Sequence, residues 1–189
     1  MHLPSSLEER LQKLFPNARD RERFVVDVIE EGLANVSPGE ARLPESIGGT
    51  LHLFSDGGSR GNPGQAAVGC VLIDPSQGVT LKEYCDAIGI ETNNVAEYRA
   101  LIEGLKIALR YRPNRLICHL DSELIVRQLN GEYRVKMATL QPLVDEIREL
   151  TMDLPDVVFK HIPREDNWRA DKLVNKALDE HPTPPYKRP

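Results

Sequence analysis

The chain has 189 residues, of which 40% are hydrophobic and 28% are charged, a composition typical of a globular protein with one domain and a small annex. No run approaches the roughly 18 apolar residues that a membrane-spanning helix needs, which argues against a membrane protein. The 24 basic and 29 acidic residues give a net charge of −5, which does not suggest a nucleic-acid-binding surface.

Cysteine usage and the N-terminal residues bear on the cellular compartment. Cys70, Cys85 and Cys118 are far apart in apolar segments, and an odd number without close pairs argues against a disulfide framework or a zinc site. The first residues lack the basic patch and apolar stretch of a secretory signal. We therefore expect buried thiols in a reducing cytoplasm.

The first 49 residues differ in character from the rest. In residues 1–36, the capping-box pattern of Ser6 and Glu9 and two apolar stripes of helical spacing predict two short helices. Residues 37–49 are rich in proline, glycine and serine, which predicts a linker. So small a helical extension buries little area alone, so we expect it to dock on the main domain or on a protein partner, with a dimerising role as an alternative.

Residues 50–181 form the predicted main domain, which begins with three strands joined by hairpins. Alternation of apolar and polar residues from Leu51 to Asp56 predicts the first strand, and similar patterns predict strands at Ala66–Ile73 and Val79–Ile88. Residues 74–78 read as the turn between the second and third strands.

Helices and strands then alternate. The predicted helices are about Asn94–Tyr111, Ser122–Asn130, Thr139–Met152 and Asp166–Glu180, and the predicted strands are Leu116–Leu120 and Val157–Ile162. This order predicts an α/β fold with a mixed five-stranded sheet, antiparallel on one side and parallel on the other, flanked by helices. Residues 182–189 contain four prolines, which predicts a flexible tail.

Four acidic residues follow the predicted elements at comparable places. Asp56 and Asp121 end strands that we expect to be parallel neighbours, so both would lie at the same edge of the sheet. Glu97, in the first turn of its helix, and Asp171, early in the last helix, can point at that edge. Each acid alone could be a helix cap or a solvated charge.

A group of four carboxylates needs a cation, because the charges otherwise repel one another. Oxygen-only ligands favour Mg²⁺ or Mn²⁺ over zinc. Two such ions about 4 Å apart can activate a water and stabilise a leaving oxygen in phosphodiester cleavage. The pattern therefore predicts a site with two divalent ions.

Glycines follow Asp56 at once, at positions 57, 58, 61 and 64. We expect a turn here that lets the backbone approach a sugar-phosphate closely. The spacing is not that of a dinucleotide-binding loop, and an alternating strand follows instead of a helix, so no helix N-terminus is available for a pyrophosphate.

Four segments together resemble the ribonuclease H family, type 1, over roughly residues 50–180. They are Asp56–Gly64, Thr92–Glu97, Asp121-Ser122 and Pro163–Asp171. The resemblance implies a ribonuclease H fold and hydrolysis of the RNA strand of RNA–DNA hybrids, leaving 5′-phosphate and 3′-hydroxyl ends. It also implies that the metal-binding and catalytic acids are Asp56, Glu97, Asp121 and Asp171.

The same resemblance suggests residues that bind the hybrid. Those similar to minor-groove positions are Ser59, Asn62, Asn93, Asn94 and Gln128, and Thr92 is similar to a position that holds a DNA phosphate; Gly57, Arg60 and Lys136 complete the predicted substrate-binding set. Hybrids present 2′-hydroxyls in a wide, shallow minor groove that amide side chains can read. The asparagines could instead be helix caps and turn formers.

The sequence also departs from many bacterial members of the family. Residues 131–137 run directly into the next helix, where those members carry a basic protrusion with tryptophan, so the chain is more similar to protrusion-less archaeal and bacterial forms. Hybrid affinity would then come from Arg60, Arg134, Lys136 or the N-terminal extension.

Two residues compete for the product-release role of a mobile side chain before the last acid. His161 lies ten positions before Asp171 and Arg164 lies seven before it; Arg164 resembles the arginine of protrusion-less members and is favoured. Trp168 is expected to pack at a helix face, with stacking on substrate as the alternative. Two other functions stay open: a non-catalytic hybrid or RNA binder, and a nuclease of the same fold that cuts double-stranded RNA or DNA.

Overall fold

The computed structural model describes residues 48–180, so the predictions for residues 1–36, for most of the linker and for the C-terminal tail lie outside the described residues. Its strands are β1 (Thr50–Gly61), β2 (Gly64–Asp74), β3 (Val79–Glu91), β4 (Arg115–Leu120) and β5 (Val157–His161). Its helices are α1 (Asn93–Tyr111), α2 (Glu123–Leu129), α3 (Gln141–Met152) and α4 (Trp168–Glu180), with a short 3₁₀ helix at Arg164–Asn167 before α4. No helix in this part of the chain is long and apolar enough to cross a membrane.

The five strands form one mixed sheet in the order β3-β2-β1-β4-β5, which confirms the predicted fold class. β1, β2 and β3 pair antiparallel, whereas β4 pairs parallel with β1 and β5 pairs parallel with β4. β1 therefore has an antiparallel neighbour on one side and a parallel neighbour on the other. Its parallel pairing with β4 ends at Phe54 and His119, so the two strands separate just before Asp56 and Asp121.

Helices cover both faces of the sheet. On one face, alternate residues of β1 such as Leu51 and Leu53 are buried under α1, together with Tyr98 and Leu101 of that helix. α4 covers the other face, where Val174 and its neighbours Ala177 and Leu178 pack against Ala67 of β2. The strand alternation predicted from the sequence thus divides β1 between two packed layers.

The glycine segment is a strand and not the predicted turn. β1 continues past Asp56 through register pairs with β2 as far as Gly61, and the chain reverses only at Asn62-Pro63. At Gly57 the close approach is made by helix α1, since a Cβ there would lie 2.1 Å from the carbonyl carbon of Ala96. A side chain at this position would push the helix off the sheet, so the absence of one lets α1 cross β1.

The start of α1 also differs from the prediction. Thr92 is the N-cap and accepts a hydrogen bond from the Val95 amide at 3.4 Å, so the alternative interpretation of Glu97 as part of the helix cap is wrong. Asn93 and Asn94 are the first two helical residues, and Glu97 lies in the second turn. The predicted end of the next helix is confirmed, because Gly131 follows α2 with φ of 77°.

The cysteines are free thiols in the described structure. Cys70 and Cys118 are buried as expected, whereas Cys85 is partly exposed. Burial raises the pKa of the Cys70 thiol to about 12, so it stays protonated at neutral pH.

Candidate active site

All four acids line a single cavity of about 330 Å³. Each comes from a different element: Asp56 from β1, Glu97 from α1, Asp121 from the residue after β4, and Asp171 from α4. Arg164 lines the same cavity. Side chains that are far apart in sequence therefore meet where the two central strands separate.

The parallel pairing of β1 and β4 explains why Asp56 and Asp121 meet. Asp56 lies two residues beyond the last parallel pair, and Asp121 lies two residues beyond it on the neighbouring strand. Asp56 is in the middle of β1 and not at its end as predicted, because antiparallel pairing with β2 continues after β4 has turned away. The two carboxylates still reach the same edge of the parallel half.

Asn167 fixes the orientation of Asp121. This side chain is only 1% exposed, and its Nδ2 donates to the Ser55 carbonyl at 2.9 Å and to Asp121 Oδ1 at 3.0 Å. It joins the segment before α4 to both central strands. The sequence motif contained Asn167, but no pattern in the sequence indicated this bridging role.

The two carboxylate oxygens of Glu97 differ in their hydrogen bonding. Asn93 Nδ2 donates to Glu97 Oε1 at 2.7 Å, whereas Glu97 Oε2 is buried without a hydrogen-bond partner in the described structure. Burial raises the pKa of Glu97, and the charge of Asp121 adds to this, while the nearby Ser122 hydroxyl and the hydrogen bond from Asn93 act in the opposite direction. A buried, unpaired carboxylate oxygen beside other acids is suited to bind a cation.

The pKa of the Asp56 carboxyl is strongly shifted. Burial, followed by the charges of Asp121, Asp171 and Glu97, raises its pKa from 3.8 to about 7, and Arg164 partly offsets this. Like charges crowded in a partly dry site favour the protonated form. The cavity therefore carries negative charge that its own cations do not balance.

Asp171 is held by two donors. Arg164 Nη2 donates to Asp171 Oδ1 at 2.8 Å, and Asn175 Nδ2 donates to Asp171 Oδ2 at 3.0 Å. The Arg164 side chain is 78% exposed, so it reaches the acid from the solvent side. His161, by contrast, is an exposed residue at the end of β5 and is not among the residues that line the cavity.

The carboxylate oxygens of the cavity are suitable ligands for divalent cations, but the side chains are not arranged around a cation position. Within residues 48–180, no group of three or more acidic, histidine or cysteine side chains is already arranged to hold a metal ion. Amide and guanidinium donors hold Asp121, Glu97 and Asp171 instead. The all-oxygen donor set, the unpaired Glu97 oxygen and the raised pKa of Asp56 nevertheless match what Mg²⁺ or Mn²⁺ would neutralise.

Several predicted substrate-binding residues near the cavity are engaged within the protein. Ser59 Oγ donates to the Glu91 carbonyl at 2.8 Å, and Asn62 Oδ1 accepts from the Asn93 amide at 3.2 Å. Arg60 Nη2 contacts Asp179 Oδ1 at 2.5 Å, which ties β1 to the end of α4. Gly57, Ser59, Arg60 and Asn93 also line the acid cavity.

Of the other predicted substrate-binding residues, Asn94, Gln128 and Lys136 lie at a second groove of about 610 Å³, here called the α2 groove, whereas Thr92 is the N-cap of α1 and does not line it. It is lined by Asn94, Leu124, Gln128, Glu132, Tyr133, Arg134, Lys136, Met137 and Leu140. Gln128 is only 8% exposed, and its Oε1 accepts from the Tyr98 hydroxyl at 2.7 Å. The apolar wall of the α2 groove includes exposed Leu124, Tyr133 and Met137. This wall was not predicted, because single exposed apolar residues have no distinct sequence pattern.

Trp168 does not pack as expected. The side chain is 59% exposed at the first residue of α4, so the prediction of a packing residue is wrong.

Comparison with known proteins gives consistent relatives. The family model described as "Reverse transcriptase-like" matches residues 54–177. The chain is 42% identical over 133 residues to Ribonuclease HI of Halobacterium salinarum, covering 70% of this chain and 66% of that protein. It is 40% identical over 125 residues to Bifunctional protein Rv2228c of Mycobacterium tuberculosis, covering 66% of this chain and 34% of that protein.

Solved structures agree with these relatives. The crystal structure of LC11-RNase H1 in complex with RNA/DNA hybrid, an enzyme isolated from compost, has a TM-score of 0.65 and 45% identity, covering 69% of this chain and 97% of that one. The chain thus spans less than two thirds of the length of the first curated relatives but nearly all of this solved domain.

Proposed function

The chain belongs to the ribonuclease H family, type 1, and from this premise we propose that it is an endoribonuclease that hydrolyses the RNA strand of RNA–DNA hybrids. The single observation that carries the proposal is the convergence of Asp56, Glu97, Asp121 and Asp171 in one cavity. The solved relative bound to an RNA/DNA hybrid supports the choice of substrate.

The charge of the cavity favours catalysis over simple binding. A phosphate backbone is repelled by four carboxylates unless cations lie between them. A non-catalytic binder would gain nothing from such a cluster, whereas a nuclease uses the ions to cut the backbone. The raised pKa of Asp56 supports a site that is incomplete without cations.

In the proposed reaction, Asp56, Glu97, Asp121 and Asp171 would hold two Mg²⁺ or Mn²⁺ ions. These ions would activate the attacking water and stabilise the leaving oxygen. The protein's own contribution is orientation, because Asn167 directs Asp121 and Asn93 directs Glu97. In-line attack on the phosphorus would leave 5′-phosphate and 3′-hydroxyl ends.

Arg164 has two proposed effects on the cavity. Its guanidinium neutralises part of the charge of Asp171 and lowers the pKa of Asp56. Since the side chain is largely exposed, it can swing away when a cation or product phosphate competes for Asp171. We therefore assign the product-release role to Arg164 and not to His161, which lies outside the cavity lining.

The α2 groove is the proposed site for further contacts to the hybrid. Arg134 and Lys136 lie on its rim, and within the described residues neither forms an ion pair. Asn94 and Gln128 in the same groove could reach minor-groove atoms, although Gln128 would have to give up part of its contact with Tyr98. Arg60 is less available, because Asp179 holds it.

A substrate comparison tests the proposed function. The full chain is incubated with labelled RNA–DNA hybrid, double-stranded RNA and double-stranded DNA, each with Mg²⁺ and with EDTA. We expect cleavage of the hybrid's RNA strand with Mg²⁺ alone, and end analysis should give 5′-phosphates. Preference for double-stranded RNA or DNA would assign another nuclease activity, and hybrid binding without cleavage under all conditions would assign a binding protein.

A further inference from the structure

Trp168 is an exposed tryptophan next to the acid cavity. It is the first residue of α4, its side chain is 59% exposed, and the chain contains no other tryptophan. Leaving so large an apolar ring in water forgoes the stabilisation that burial would give. The reaction described above assigns no role to this residue.

The residues on both sides of Trp168 are anchored to the sheet. Asn167 donates to the Ser55 carbonyl and to Asp121. Arg169 Nη2 donates to Glu83 Oε1 at 2.7 Å and to Thr80 on the same strand, β3. The backbone that carries the indole is therefore held at a fixed place relative to the acids, unlike that of a residue on a free loop.

Helical spacing places Trp168 on the same side of α4 as Asp171. Trp168 precedes Asp171 by three residues, and Asn175 follows Asp171 by four, so the three share one side of the helix. Ala170 and Val174 occupy the buried side. Trp168 is not among the residues that line the cavity, and it lies one helical turn before Asp171, which is.

We propose that Trp168 is a substrate-contact residue whose indole packs against a ribose of the cut strand next to the scissile phosphate. The inference rests on the proposed function, because the acids fix which strand lies closest to the helix. In an intact duplex the base faces are stacked inside, whereas the sugars face a wide, shallow minor groove. An exposed ring one turn before Asp171 can meet a sugar edge there, and the contact buries apolar area that is otherwise in water.

Steady-state cleavage of a defined RNA–DNA hybrid provides the first test. We expect Trp168→Ala to raise KM about five-fold or more and to change kcat less than about two-fold, since the contact orients substrate without touching the reacting atoms. Trp168→Phe should recover most of the affinity. Met152→Ala is the matched control, because Met152 is 81% exposed at the far end of α3, and its KM should stay at the wild-type value.

Intrinsic fluorescence provides a second test that a purely structural role would not affect. As Trp168 is the only tryptophan, emission of the wild-type protein reports on this side chain alone. Titration of the Asp121→Asn variant with hybrid in Mg²⁺, where cations are present and little cleavage is expected, should shift the emission and protect the indole from quenching by acrylamide. This variant keeps Trp168, so the titration remains decisive even if Trp168→Ala does not fold.

The two tests separate this inference from the proposed function. If the wild type cleaves hybrid but Trp168→Ala keeps its KM, or if saturating hybrid leaves emission and quenching unchanged, the ribose contact is refuted and the nuclease assignment stands. If the wild type does not cleave hybrid, both are refuted. Protection by an unrelated protein and not by hybrid would likewise overturn the contact, because it would mark a protein-binding surface.

Discussion

The acid cavity and a histidine pair both draw side chains from β1 and β4 or the residue after it, but the pKa values of these side chains are shifted in opposite directions. His52 of β1 and His119 of β4 face each other, with His52 Nδ1 and His119 Nε2 3.3 Å apart, and Phe54 stacks on His119. Burial lowers the pKa of both rings, to about 4 for His119, and the nearby positive charge of Lys160 acts in the same direction. A few residues further along, burial and neighbouring acids raise the pKa of Asp56 to about 7.

The difference shows that the histidine pair and the acid cavity have different electrostatic requirements although both involve the same sheet. Neutral imidazoles need no counter-charge, so the pair is compatible with close packing at neutral pH. Ionised carboxylates in the cavity need a cation, and among the described residues only Arg164 and Arg60 line the cavity with positive charge, Arg60 being paired with Asp179. Unfavourable electrostatics is therefore concentrated at the cavity, as in many functional sites.

The largest expected effect is on catalysis, through Asp121→Asn. This change removes one charge from the cavity but keeps an oxygen that can accept from Asn167, so the fold should be retained. We expect hybrid cleavage with Mg²⁺ to fall by at least about 100-fold, with an unchanged melting temperature. Glu123→Gln, two residues further on at the surface, is the control; a similar loss in both variants would contradict a special role for the cavity.

The next effect combines stability and activity, through Asn167→Ala. The variant loses a buried donor to both Asp121 and the Ser55 carbonyl. We expect the free energy of unfolding to fall by about 2–3 kcal/mol and cleavage by about ten-fold or more. Denaturant unfolding and hybrid cleavage measure the two effects.

The matched comparison for Asn167 is Asn175→Ala, which removes an exposed donor to Asp171. Its effect on unfolding should be under about 1 kcal/mol, because water can replace the lost hydrogen bond. Equal destabilisation by the two variants would show that burial of Asn167 is not what makes it important.

The third prediction is a gain in stability and not a loss, because Asp56→Asn should raise the free energy of unfolding of the metal-free protein. The folded pKa of Asp56, about 7, lies above its unfolded value of 3.8, so the stability that its proton provides is lost as pH rises through 7. In EDTA at pH 8 we expect a gain of about 1–3 kcal/mol, fading toward pH 4. The same measurement on Asp166→Asn, an exposed acid outside the cavity lining, should show little gain at either pH.

The smallest expected effect belongs to the histidine pair. The folded pKa of His119, about 4, lies below the ordinary 6.5, so the unfolded state binds the proton first as pH falls. The stability contribution is therefore full above about pH 6.5 and is lost toward pH 4, by an amount on the order of 1 kcal/mol. His119→Gln should remove this part of the acid sensitivity, whereas His161→Gln at the exposed end of β5 should not; identical pH curves for wild type and His119→Gln would contradict this account.

Sequence patterns predicted most of the fold because they are local. Alternation in β1 and the apolar stripes of α3 and α4 depend only on which side of an element is buried, and these predictions are confirmed. The predictions that were wrong concern segments whose structure depends on contacts with residues far away in the sequence. The glycines of residues 57–64 looked like a turn, but pairing with β2 extends the strand, and Thr92 replaces Asn94 as the cap of α1.

The sequence by itself predicted the mixed sheet, through the order of its elements, and the family resemblance, through four short motifs. The same motifs pointed to Asp56, Glu97, Asp121 and Asp171 as candidate site residues. The tertiary structure alone decided how the acids are held and how their pKa values shift, because burial and neighbouring charges come from four separate elements. It also decided that Gln128 is buried, that Arg60 is paired and that Trp168 is exposed. Exposure depends on what packs against a side chain, and that partner is usually far away in the chain.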